Sequence, residues 1–199
     1  MKWLNSLDEL LYEVMSWLLF FPLTLWKATV HPIATMDAID REAALPDEAQ
    51  YAAILSPPLF LALALLIGHG VATALGQTDA IIANRHRLAA MVTDTASALV
   101  LRVIVFAAFP LFLAARAVRC RGVPLDRTTL RRTFYAHCYP AAVFALGIST
   151  GTSLALDGHA LAWTIGQALV VLALGFYWLV AIGWFARSSV SVSCAQRPM

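Results

Sequence analysis

Residues 144–160 read FALGISTGTSLALDGHA, and two different chemistries fit this stretch. Gly147-Ile-Ser149-Thr-Gly151 satisfies the G-x-S-x-G pattern of a serine hydrolase, with Asp157 and His159 following as acid and base. The same five residues satisfy G-x-x-x-G, the small-residue pattern that lets two membrane helices approach closely. A nucleophile elbow needs a strained strand-to-helix turn, whereas Ser149 lies inside a charge-free run from Thr133 to Leu156. Along a helix Asp157 and His159 fall about 12 and 15 Å beyond Ser149, far outside a hydrogen bond of about 3 Å. Intramembrane proteases do use a serine within the bilayer, with His69 as the conceivable base here. The reading adopted is a packing seam at Gly147 and Gly151, with Ser149 and Ser153 bonding between helices.

Arg102 is the second residue with chemical potential. It interrupts an apolar stretch near 95–115, and an ionisable group inside a span faces the bundle or a wet cavity because lipid cannot solvate it. Entering that helix near residue 95, Arg102 lies about 10 Å deep. At matching depth the neighbouring spans offer His69 and Thr73, then Ser149, Thr150 and Ser153, then Thr164 and Gln167. These residues form a candidate intramembrane polar site, suited to an anionic group. Asp94 is a further possible partner, since a long helical side chain leans toward the N-terminus.

The elements that must position these groups are helices in a membrane. The chain has 199 residues, 60% hydrophobic and 13% charged, with a mean hydropathy of +0.73. A soluble domain could not carry that composition without large exposed apolar patches. A hydrocarbon core of about 30 Å takes about 20 apolar residues in a helix. Stretches without acidic or basic residues predict spans near 56–77, 134–156 and 161–185, and the segment with Arg102 adds 95–115. The expected fold is therefore all-α, a polytopic bundle of four transmembrane helices over 56–186. Residues 1–55 precede it and a short tail, 187–199, follows.

Residues 3–19 place Trp3, Leu4, Leu7, Leu11, Met15 and Leu18 on one helical stripe, with Asn5, Asp8, Glu9 and Glu13 on another. Only 13 uncharged residues separate Glu13 from Lys27, and Pro22 interrupts them. An amphipathic interfacial helix is expected, capped by Ser6 with Glu9. A fifth span near 14–33 is the alternative. An acidic linker should follow, with Pro46, Asp47 and Glu48 suiting a first helical turn and Ser56 capping the first span. No signal peptide is expected, because Lys2 is followed by acids rather than by an apolar region with a cleavage site.

Charge sets the expected orientation. With four spans, one side carries eleven Lys and Arg residues and the other only Arg85 and Arg87, so both termini should be cytoplasmic. Residues 1–55 hold eight acids against three bases, while 116–132 holds Arg116, Arg119, Arg121, Arg127, Arg131 and Arg132 against Asp126. Those arginines are the positive-inside signal. They are also candidate contacts for anionic lipid headgroups or for a partner, the acidic N-terminal region included. No recognition motif accompanies them, so nucleic acid is not expected as a partner. With no C-x-x-C or H-E-x-x-H and five scattered histidines, no metal or cofactor is expected, and three cysteines on or near the reducing side predict no disulfide.

Two segments, LDELLYEVMSWLLFFPLTLW (7–26) and LSPPLFLALALLIGHG (55–70), resemble small bacterial inner-membrane proteins labelled permease or hypothetical. The resemblance covers roughly the first third of the chain and implies a transport protein of the bacterial inner membrane. The polytopic plan with an N-terminal cytoplasmic region also resembles, loosely, the Yip1-like proteins of membrane trafficking, whose Asp-Leu-Tyr-Gly-Pro signature is absent here. The expected role is that of an accessory or scaffold-type protein without enzymatic activity, a subunit or assembly partner of a membrane complex. The alternative is a permease-like transporter or channel, itself a homo-oligomer, using the polar site around Arg102.

Overall fold

The computed structural model describes residues 2–42, 55–76 and 95–195, and the side chains of 11–42, 55–76, 97 and 99–187. Six helices and no strand are found among the described residues: α1 (Lys2–Val30), α2 (Pro32–Glu42), α3 (Pro57–Ala74), α4 (Thr95–Cys120), α5 (Arg127–Ala155) and α6 (Ala160–Ala195). The last four are long and apolar enough to cross a bilayer, so this is a multi-pass membrane protein.

Helix α5 is the hub, packing against α2, α3, α4 and α6. Its alanines at 136, 141, 142 and 145 are buried, and such small side chains let four neighbours approach one axis. The outward faces of α4 and α6 instead expose Val100, Ile104, Phe112, Val171, Leu172 and Leu179, as lipid-facing surfaces do.

The helix ends depart from the expected ones at several points, chiefly because charge-free runs mark the membrane core rather than the helix. Helix α5 begins at Arg127, not near 134, because Asp126 builds a capping box there: its carboxylate accepts from the Thr129 amide at 2.7 Å and its own amide donates to Thr129 Oγ1 at 3.2 Å. The Thr129 amide, with the Thr129 and Thr128 hydroxyls, lowers the Asp126 carboxyl from 3.8 to about 2. Helix α4 runs on to Cys120, where Gly122 at φ 67° turns the chain out of it. Residues 187–195, expected as tail, continue α6.

The N-terminal region also needs correction. Helix α1 begins at Lys2, which places Ser6 inside it rather than at its cap, and it continues through Pro22 to Val30. Pro22 sits on an exposed face, so the bundle must accommodate neither its ring nor the missing amide. Helix α1 does not qualify as a fifth membrane span. Part of the expected linker is helical as α2, and residues 43–54, with Pro46, Asp47 and Glu48, lie outside the described residues. Ser56 does precede α3, but its hydroxyl makes no capping bond; Pro57 and Pro58 simply remove two amides that would lack acceptors.

Phe60 ties α1 to the hub. Its ring lies 5.2 Å from Phe21 and 5.3 Å from Tyr139, stacked at 26° on the latter. Beside it Leu55 is held from both sides: the Tyr139 hydroxyl donates to its carbonyl at 2.5 Å, and its amide donates to Thr24 Oγ1 at 3.4 Å.

Candidate functional site

Two polar constellations stand out, one within the spans and one at the end of the bundle where α2 lies. Within the spans, Arg102 on α4 and His69 on α3 meet, with Arg102 Nη1 3.5 Å from His69 Nδ1. A guanidinium only donates, so Nδ1 accepts in this contact. Both side chains are half-buried. The neighbouring Gly68 sets the helix separation, because a Cβ there would come 2.6 Å from the Ser149 Cβ of α5.

Ser149 is thus a contact residue midway along a helix, and its motif packs helices on two sides. Gly147 meets Ala173 of α6, and Gly151 meets Gly166 and Val170, where added Cβ atoms would lie 2.8 and 2.9 Å from the nearest atoms. Asp157 and His159 fall in the turn beyond α5, where Gly158 takes φ 81°.

The remaining expected members of the polar layer differ in their exposure. Ser153 is buried in α5, while Thr73, Thr164 and Gln167 are exposed. Thr73 donates to the His69 carbonyl at 3.0 Å, Thr150 to Leu146 at 2.7 Å and Thr164 to Ala160 at 2.8 Å. Each hydroxyl is satisfied by its own helix, which lets it sit in an apolar setting without lining a route. Asp94 lies outside the described residues.

At the bundle end, acids of α2 meet the arginines. Arg132 Nε donates to Asp40 Oδ1 at 3.1 Å and to the Asp40 carbonyl at 2.6 Å, and Arg121 Nη1 lies 3.9 Å from Asp40 Oδ2. Asp37 takes Arg187 at 3.4 Å. Part of the acidic N-terminal region therefore folds onto the basic segment, one of the contacts its charge complementarity allowed. Arg121 also lies over Trp184 at 5.6 Å, Arg131 over Tyr135 at 5.2 Å and Arg116 over Phe185 at 5.9 Å. Arg119 and Arg127 are exposed.

Sequence reasoning did not single out Asp37, Asp40, Gly68, Gly166 or the Tyr139–Leu55 bond. A small residue at 166, facing a G-x-x-x-G in the preceding span, was the available signal for the seam; nothing local marks Asp40 over other acids. Comparisons with protein-family models, with curated proteins and with solved structures find no match to this chain.

Proposed function

We propose that this chain is an accessory or scaffold-type protein of the bacterial inner membrane, a subunit or assembly partner of a membrane complex, with both termini cytoplasmic. The observation that carries the reading is helix α1. Its Phe21, Thr24 and Ala28 are buried, yet on another face Leu11, Met15, Leu18, Leu19, Leu23 and Trp26 are all more than half exposed. An apolar stripe on a helix that is not one of the spans fits a partner helix or groove. The acids at 8, 9 and 13 make an anionic lipid surface an unfavourable substitute. The orientation is supported by Lys and Arg: the ion pairs of Asp37 and Asp40 gather Arg121, Arg132 and Arg187 at one end, the side to which eleven of the fourteen basic residues are assigned. The resemblance to small inner-membrane proteins supports the location.

The test is the mass and composition of the protein purified from crosslinked membranes in mild detergent. Other polypeptides are expected in fixed ratio, and substituting Leu11, Met15 and Leu18 together by serine should reduce their recovery at least fivefold. A homogeneous homo-oligomer unaffected by those substitutions would overturn the reading.

The Arg102–His69 contact favours a second reading, a permease-like carrier or channel for a small anion. On that reading Arg102→Leu lowers anion flux into protein-containing vesicles by tenfold or more. Equal flux from the variant and the parent chain removes it.

A further inference from the structure

Helices α4 and α6 both rest on α5. Between them lies a half-open cavity of about 900 Å³, within the range of about 300–1,000 Å³ typical of ligand sites. Phe109 and Leu113 form one wall, Trp178, Ile182 and Phe185 the other, and Phe144 of α5 lies between them. Arg116 and Cys120 belong to the same wall of α4 as Phe109 and Leu113.

The dimensions and the charge identify the occupant. From Leu174 to Phe185, the ring on which Arg116 rests, α6 advances about 16 Å, roughly half of the 30 Å hydrocarbon core and so one leaflet deep. The groove therefore accommodates an acyl chain lying along the bundle, with its head at the level of Arg116. Asp37 and Asp40 engage Arg187, Arg121 and Arg132, whereas no carboxylate pairs with Arg116 among the described residues. The Arg116 guanidinium rests on the Phe185 ring at 5.9 Å, which holds a cation in place without neutralising it.

We infer that the α4–α6 groove is a binding site for one anionic phospholipid of the surrounding bilayer, an acyl chain in the apolar cleft and the headgroup phosphate on Arg116. The site selects by charge at one point and by shape along the cleft, unlike the diffuse attraction of a basic loop for an acidic surface. It lies on the membrane-embedded wall opened by α4 and α6 and does not involve the exposed stripe of α1.

Native mass spectrometry of the full-length protein in mild detergent, titrated with phosphatidylglycerol or with phosphatidylcholine, tests this. One phosphatidylglycerol per chain is expected to be retained in preference to phosphatidylcholine. One basic residue near a membrane surface contributes about 1 kcal/mol, so Arg116→Gln should weaken phosphatidylglycerol retention about fivefold and phosphatidylcholine, whose phosphate charge is offset by its own ammonium, by less. Ala181→Trp, filling the cleft, should abolish retention of both, and Arg127→Gln, an exposed arginine outside the groove, should change neither. Equal losses in Arg116→Gln and Arg127→Gln would overturn the site in favour of diffuse charge. Displacement of the lipid by inorganic phosphate alone would overturn the acyl-chain part. A dimer lost in Ala181→Trp, with no lipid retained by the parent chain, would assign the groove to a second copy and overturn the proposal. If Ala181→Trp fails to fold, the comparison of Arg116→Gln with Arg127→Gln decides.

Discussion

Gly166→Ala should lower the stability of the bundle by about 1–3 kcal/mol, a large effect for one added methyl group. The new Cβ would come 2.5 Å from the Gly151 carbonyl oxygen and 2.5 Å from the Ala155 amide nitrogen. Both are backbone atoms of α5, so no rotamer change can relieve the contact. The two helices must separate, and because lipid supplies little drive to hold helices together, the packing lost on separation is not recovered. At Gly147 the obstacle is the Ala173 side chain at 2.8 Å, and at Gly175 nothing lies within 4 Å. Unfolding midpoints in mixed detergent micelles should therefore fall most for Gly166→Ala, while Gly175→Ala stays within about 0.5 kcal/mol of the parent. Equal midpoints for Gly166→Ala and Gly175→Ala would mean that α5 and α6 do not approach this closely.

The second large effect is expected of Phe60→Ala. Phe60 is fully buried between Phe21 and Tyr139, so its removal leaves a void that two large rings on different helices cannot readily fill. Truncations of this kind cost about 3–5 kcal/mol in water-soluble cores, and the lower end applies where a lipid-embedded reference state already solvates apolar groups. The local consequence is more diagnostic than the total. Phe21 loses its partner and the Thr24–Leu55–Tyr139 chain loses its packing, so α1 should loosen while α5 and α6 hold. Amide exchange across residues 21–30 should accelerate at least tenfold, with exchange in 136–151 nearly unchanged. Uniform acceleration across all helices would show that Phe60 supports the whole bundle and is no specific anchor of α1.

Hydropathy and charge belong to individual residues and add along the chain, so what depends on them was legible without coordinates. Three of the four spans follow from the absence of charge over the length of a bilayer, the fourth from an apolar run interrupted by Arg102, and the N-terminal stripe from its 3.6-residue period. The G-x-x-x-G at 147 and 151 marked a seam because a glycine pair on a membrane helix presents bare backbone whatever lies opposite. Depth alone placed His69 among the seven polar residues expected at the level of Arg102, since an ionisable group inside a span faces the bundle or a wet cavity. What lies opposite, however, depends on how the helices rotate and how far apart they stand. Rotation turned Thr164 and Gln167 outward at a depth where they were expected to join Arg102, and packing let α1 pass through Pro22 on an exposed face. The −5 and +5 segments announced an attraction between residues 1–55 and 116–132, but only the placement of α2 selected Asp40 for Arg132 and left Arg116 without a carboxylate among the described residues. An ion pair between residues 92 positions apart is a property of two surfaces brought together, and no local pattern in either segment specifies it.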